Sequence, residues 1–347
     1  MKKRVLLYAA KFMNIYLDIK NCLENMNYEV VWVEANTIPN NPFNKTLGLY
    51  NQKNIEDYMS KAKVKWELLF KEEKINKPFD YFVSIVGIDI PSFAFEKLSK
   101  SNQNLRKVLY LYDRVEGVYQ IDEFFKFYNE VFSFDKSDCK RFNLSFLPIY
   151  WVTSNENDSK ILYDIFAFAS YSPLKPDRTL LFSRLKQLAR ENKYKEYIKL
   201  YDNSYAQSKM VFFLKNLVKV FLNKSVLTIK DILGGLITEK SVMPEEYRRI
   251  INSSRVVFDT QASYQDGLTA RFMWALGAGK KIITTNQYVR GYDFYNENQV
   301  YVLDDNLSGI DDFLSLPFQQ NLSHIEKVKP FRIDNWINTI LGNFNQK

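Results

Sequence analysis

Between Val256 and Asn286 the chain reads VVFDTQASYQDGLTARFMWALGAGKKIITTN, and this stretch holds the residues best spaced for chemistry. An apolar run ends at Asp259-Thr260, and a polar loop, Gln261–Asp266, leads to Gly267. A helical pattern follows over Leu268–Leu276 and stops at glycines 277 and 279. Gly267 permits close backbone approach, and the free N–H groups of a helix start favour an anion such as a diphosphate. Thr269 adds a hydroxyl donor. Arg271, four residues after Gly267, shares its helical face and would reach the same anion bidentately. The bland alternative is a strand–helix–strand unit carrying a solvated arginine, and spacing alone leaves both readings open.

A second cluster is Ser170-Tyr171-Ser172-Pro173-Leu174-Lys175-Pro176-Asp177-Arg178. Its hydroxyls, with Lys175 and Arg178, suit phosphate contact, while Asp177 suits the cap of a following helix. The one histidine, His324, lies in a polar stretch and reads as a surface residue, so acid–base chemistry falls on carboxylates, tyrosine or lysine. Cys22 and Cys139 form no CxxC pattern, which argues against a disulfide framework or a zinc site and fits a reducing cytoplasm. Asp304-Asp305 has no supporting ligands, so no metal site is expected. Ala9-Ala10-Lys11-Phe12 stands where a dinucleotide-binding chain would place GxGxxG.

The elements that must position these residues alternate. In the first half, strands are expected at Val5–Ala9, Glu29–Val33, Tyr81–Val86, Lys107–Tyr112, Val131–Phe134 and Phe146–Trp151. Helical patterns separate them at Asn14–Glu24, about Ile55–Lys71, Ile90–Leu98 and Glu123–Phe127. Val152–Lys160 is polar and aperiodic and reads as a linker. The alternation then restarts with strands Ile165–Ala169, Glu196–Tyr201, Val256–Thr260, Lys281–Thr285 and Val300–Leu303, a helix Arg178–Arg190, and a last helix Phe331–Leu341. Strands separated by helices imply right-handed crossovers, a mainly parallel sheet in each half, and an α/β chain of two Rossmann-like lobes facing across a cleft. The length of 347 residues suits two domains, and 11 glycines with 10 prolines argue against a loop-rich all-β protein.

A net charge of +8 favours a phosphorylated ligand, anionic lipid or nucleic acid, and no zinc-finger or RNA-recognition motif supports the last. Lys2-Lys3-Arg4 before Val5–Ala10 imitates a signal peptide, but the apolar run is too short and Lys11 interrupts it. A cytoplasmic protein is therefore expected. The lysine-rich, apolar stretches Lys61–Lys77 and Lys209–Lys224 suit either contact with an anionic membrane or core helices with solvated lysine edges.

The stretch Gly267-Leu268-Thr269, Arg271, Gly279-Lys280-Lys281 and Ile283-Thr284-Thr285-Asn286 resembles the donor-binding segment of GT-B glycosyltransferases that assemble bacterial lipopolysaccharide and capsule. Phe134-Asp135-Lys136, Leu147-Pro148, the helix Tyr247–Ser254 and Trp336 are similar to that family too. The likeness is specific over about thirty residues and loose elsewhere. It implies an acceptor-binding lobe over residues 1–152, a nucleotide-sugar-binding lobe over 161–330, and a C-terminal helix over 331–347 that returns toward the first lobe. It also implies that the 170–178 loop flanks the donor phosphates, that Leu268 and Asn286 lie in the donor site, and that no cofactor or metal is needed. The family places a glutamate where this chain has Trp274, so sugar or ribose hydroxyls would fall to Asp266, Gln265 or Asp259. Transfer with inversion needs a base for the acceptor hydroxyl. Asp113, after the strand Lys107–Tyr112, is the first choice and Glu116 the second, although either equally suits a helix cap or ion pair. Lys11 and Asn14 are expected on the acceptor side of the cleft. The expected partners are a nucleotide sugar and a glycan or lipid-linked acceptor, with no nucleic acid. A non-catalytic, transferase-shaped subunit or glycan-binding module is the competing reading, encouraged by Trp274.

Overall fold

The computed structural model describes residues 2–11, 14–152, 160–172, 176–202, 208, 210–211, 213–214, 227–261, 265–303, 307, 309–317 and 322–343. The linker residues 153–159, Lys175, Asp304-Asp305 and most of the stretch 209–224 lie outside this set. The chain divides into two compact units: Met1–Tyr150 with Gln265–Gly267 and Pro330–Lys347, and Trp151–Tyr264 with Leu268–Lys329.

The first unit is built on six parallel strands: β1 (Arg4–Ala9), β2 (Glu29–Glu34), β3 (Tyr81–Ile85), β4 (Arg106–Leu111), β5 (Glu130–Ser133) and β6 (Ser145–Phe146). Their order is β2-β1-β3-β4-β5-β6. The register sets Leu7 of β1 beside Trp32 of β2 and Val83 of β3. Parallel strands are covered on both faces, hence the unbroken apolar run of β1, buried from Val5 to Ala9. Covering helices are α1 (Ile15–Asn25), α2 (Gln52–Leu69), α3 (Glu73–Asn76), α4 (Ser92–Ser101) and α5 (Lys136–Phe142). A C-terminal helix also belongs to this unit, and its Trp336 donates to the Pro148 carbonyl at 3.1 Å between the rings of Tyr110 and Tyr150.

The second unit repeats the plan with β7 (Tyr163–Ser170), β8 (Glu196–Tyr201), β9 (Ile237–Thr238), β10 (Ser254–Asp259), β11 (Lys281–Thr284) and β12 (Val300–Val302). All are parallel, in the order β12-β11-β10-β7-β8-β9. Its described helices are α6 (Pro176–Glu191), α7 (Ile229–Leu233), α8 (Pro244–Asn252), α9 (Ala270–Gly277), α10 (Ile310–Ser315) and α11 (Leu322–Val328); the C-terminal helix of the first unit is α12 (Ile333–Leu341). Lys281 of β11 donates to the Phe313 and Leu316 carbonyls where α10 ends, a cation set against the negative end of a helix.

The structure corrects two sequence expectations locally and refines a third, the helical stretch at Glu123–Phe127. Phe146–Trp151 is not a strand beyond Phe146, because Pro148 has no N–H to give a ladder. Ile121–Phe127 is a 3-10 helix. Val86 leaves β3 and takes a φ of 48°, a costly conformation for a β-branched residue, where Gly87 passes against the Tyr8 ring and any Cβ would clash.

Candidate functional site

In the second unit, β10 is flanked by β11 and β7, and its last residue, Asp259, is buried at 1% exposure. A carboxylate this deep needs partners, and α9 supplies them. Thr269 Oγ1 donates to Asp259 Oδ1 at 2.7 Å, and Arg271 Nε donates to the same oxygen at 3.1 Å. Arg271 Nη2 donates to the Thr260 carbonyl at 2.7 Å. Burial opposes the charged guanidinium, but the adjacent Asp259 carboxylate prevails and holds the Arg271 pKa above its ordinary value.

The helix begins later than the spacing predicts. Its first residue is Ala270 rather than Leu268, because Thr269 is the cap and accepts from the Phe272 N–H at 3.1 Å. The N–H groups of Ala270 and Arg271, and Arg271 Nη1, carry no hydrogen bond among the described residues. Donors for an anion are therefore those of residues 270 and 271.

Gly267 is a correction. Its N–H, with that of Asp266, donates to Asp135 Oδ2 at 3.0 and 2.9 Å, inside the first unit, to which Gln265–Gly267 belongs. The other oxygen of Asp135 caps α5 through the N–H groups of Ser137 and Asp138. Asp135 is fully buried, and Arg114 Nε stands 3.6 Å from it and from Asp138. The anion expected at Gly267 is thus the protein's own carboxylate. The Asp266 carboxylate accepts from Ser137 Oγ, and Gln265 donates its amide to the Gly267 carbonyl at 3.1 Å. A Cβ on Gly267 would lie 2.5 Å from the Phe134 ring, so close approach is what this glycine supplies, toward protein and not ligand. The strand-end aspartate before an Lys-Ser-Asp helix start was the sequence signal for Asp135 as a cap.

Leu268 is buried at 1% and belongs to the core. Asn286, also at 1%, accepts from the Tyr288 N–H at 2.9 Å and caps a short turn, so its amide oxygen is spoken for. Trp274 is a core residue, 4% exposed, with its ring 5.7 Å from that of Tyr247 and the Arg248 guanidinium 5.5 Å above it. Its indole N–H has no partner among the described residues.

On the neighbouring strand, Ser170 ends β7 exposed, Tyr171 donates its N–H to the Tyr201 carbonyl at 2.7 Å, and Ser172 is half-buried. Arg178, half-buried, lies in the first turn of α6, which starts at Pro176, so Asp177 sits inside the helix instead of capping it. Burial, aided by Asp202, raises the Tyr171 phenol above its usual value.

In the first unit Asp113 is exposed just after β4. Glu116 is committed to ion pairs with Arg141 at 2.9 Å and Arg114 at 3.7 Å. Lys11 is exposed after β1, and Asn14 adopts a left-handed φ of 51° immediately before α1.

No protein-family model matches the chain, and no curated protein is detectably similar in sequence. Solved structures do match in fold. The Escherichia coli trehalose-6-phosphate structure bound with UDP-2-fluoro glucose is 11% identical, with 99% of each chain covered and a TM-score of 0.63. The alpha,alpha-trehalose 6-phosphate synthase of Burkholderia multivorans is 10% identical over 99% of this chain and 98% of that one, at 0.60. MnaA of S. aureus, solved with UDP, is 12% identical over 100% and 99%, at 0.51. The chain has the fold of these proteins, two Rossmann-like α/β domains with parallel six-stranded sheets, the GT-B architecture.

Proposed function

We propose that this chain is a GT-B glycosyltransferase that moves a sugar from a nucleotide-sugar donor to a glycan or lipid-linked acceptor in bacterial surface-glycan synthesis. The observation that carries the reading is the centre at the end of β10. Asp259 and the Thr260 carbonyl fix the Arg271 guanidinium through Nε and Nη2, leaving Nη1 without a partner among the described residues, on a side chain that springs from the first turn of α9. A guanidinium held in place next to a helix start is preorganised for the charge that develops on a departing diphosphate. The structural neighbours described with UDP-2-fluoro glucose and with UDP support the same ligand class.

In this reading Asp113 accepts the proton of the acceptor hydroxyl as its oxygen attacks the anomeric carbon. The bond from that carbon to the diphosphate oxygen breaks, and the nucleoside diphosphate leaves with its charge met by Arg271 and the α9 N–H groups. Ser170, Tyr171, Ser172 and Arg178 contribute from the end of β7. The charge of the diphosphate is met in this reading by cationic side chains and helix N–H groups. No described helix is long and apolar enough to cross a membrane. We place the protein in the cytoplasm, touching anionic lipid through the lysine-bearing outer face of α2, where Val64 and Leu68 are 54% and 56% exposed.

Trp274 favours a second reading, a transferase-shaped subunit that binds without turnover, because a buried indole cannot hold sugar hydroxyls as a carboxylate would. Calorimetric titration with UDP-, GDP- and CMP-sugars, followed by turnover assays with the donor that binds, decides between them. Saturable binding with transfer supports the first reading, and binding without transfer the second. Failure of every nucleotide sugar to bind removes both.

A further inference from the structure

We infer that the first unit carries a pocket for a single neutral sugar ring, formed between the segment after β2 and the start of α2. As the site of an acceptor sugar it deepens the transfer reading, although its existence does not depend on a transfer reaction. The cavity is about 270 Å³, and its walls are Pro39, Asn40, Leu49, Asn54, Asp57, Tyr58 and Lys61. That volume is just below the usual range for drug-sized ligands, roughly 300–1,000 Å³, and suits a smaller molecule.

The walls are fixed from several directions. Asn36 donates its N–H to Asp89 at 3.2 Å and its amide to the Val86 carbonyl at 3.1 Å, tying the segment down as it leaves β2. Phe43 is buried edge-on to Tyr58 at 6.0 Å, and its carbonyl accepts from the Tyr119 N–H at 2.8 Å. Asn51 caps α2 through the Asn54 N–H at 2.9 Å, and the Asn54 amide donates to the Leu49 carbonyl at 2.7 Å. A cavity pinned this way is formed before a ligand arrives.

Its chemistry is that of hydroxyl recognition. Asn40 makes no side-chain hydrogen bond among the described residues and so offers both a donor and an acceptor. Asp57 and Lys61 pair at 2.6 Å with both side chains more than half exposed, so they present a carboxylate and an ammonium with no net charge. That balance disfavours a phosphate or a carboxylated ligand and fits a neutral polyol. Tyr58 is 2% exposed with its hydroxyl closed off from solvent, so it helps wall the cavity without offering a hydrogen bond to a guest. Leu49 and Pro39 supply the apolar contact that a sugar's C–H face requires.

The test is saturation-transfer NMR with the methyl glycosides of glucose, galactose and N-acetylglucosamine against the full chain, alongside Asn40→Gly and Asp57→Ala, with Tyr58→Phe as the control that removes no group a guest can reach. Glycine suits the left-handed φ of 59° at residue 40, Asp57 is a surface residue, and Tyr58→Phe keeps the ring, so the variants should fold. The expected result is saturable binding of at least one glycoside, weakened about tenfold for each lost hydrogen-bonding group. Failure of all three glycosides to bind overturns the proposal, as does binding that Asn40→Gly and Asp57→Ala leave unchanged. Nucleotide-sugar titrations on the same samples keep the two readings apart. Glycoside binding without nucleotide-sugar binding leaves the pocket standing and sinks the transfer reading, and the converse sinks the pocket alone.

Discussion

At the residue scale, Arg271 has two duties that a single substitution separates. It neutralises buried Asp259, and it keeps one nitrogen without a partner among the described residues. Arg271→Ala should weaken nucleotide-sugar binding by roughly 1.5–3 kcal/mol, the range for hydrogen bonds to charged groups, read by calorimetry. The same variant should lower thermal stability, since among the described residues Asp259 then keeps only Thr269 as a side-chain partner. Unchanged affinity in a folded variant would remove the residue from the donor site. Asp113→Asn should cut turnover by about 10²–10⁴-fold with donor affinity little altered, and equal turnover would retire it as the base. Arg271 was legible at a helix start from its spacing beyond a strand end, whereas Thr269, expected to donate to a ligand anion, gives its hydroxyl proton to Asp259. The capture of Gly267 by Asp135 was not, because the partners are 132 positions apart and no periodicity reports such a pair. Trp274 reads in one dimension as a lost glutamate, whereas in three it fills the space between Tyr247 and Arg248.

At the element scale, helix–strand alternation placed ten of the twelve described strands to within two residues, since buried parallel strands are continuous apolar runs, but it misplaced β6 and did not find β9, which has only two residues. Helix starts were less legible. The reading from Leu268 missed that Thr269 turns its hydroxyl back onto the Phe272 N–H, a cap that moves the start of α9 to Ala270. The other end of α9 gives a prediction with an unexpected sign. Glycine-to-alanine in a helix ordinarily gains up to about 1 kcal/mol. At Gly277 an added Cβ would stand 2.3 Å from the Trp151 ring, so Gly277→Ala should instead destabilise by roughly 1–3 kcal/mol in chemical denaturation. On α5, Asp135→Ala removes the acceptor of four backbone N–H groups at once, and should cost about 2–4 kcal/mol in the same assay.

For the whole molecule, the two cysteines report on burial from separate elements, Cys22 on α1 and Cys139 on α5. Burial raises both thiols to about 11, with nearby aspartates adding to it. Only the thiolate alkylates, so reaction with iodoacetamide should climb steeply between pH 9 and 11 instead of levelling off above the ordinary thiol range near 8.5. The sign for stability follows from the same shift. As pH rises past about 9 the unfolded chain releases these protons while the folded one retains them, so each thiol subtracts stability until about pH 11, where the loss levels off. A full alkylation plateau by pH 9 would show the thiols to be open to solvent.

The first unit is assembled from both ends of the polypeptide, with α12 completing what β1 to β6 begin. Trp336, at 0% exposure, is among its largest buried side chains, yet it is made 190 residues after Phe146, the last residue of β6. During synthesis, then, the first unit must wait unfinished, with the surface around Tyr110 and Tyr150 uncovered, while the second unit is translated. The second unit needs no such wait, so the order of maturation should run opposite to the order of appearance. A nascent chain stalled before Pro330 ought to expose that aromatic surface to chaperones.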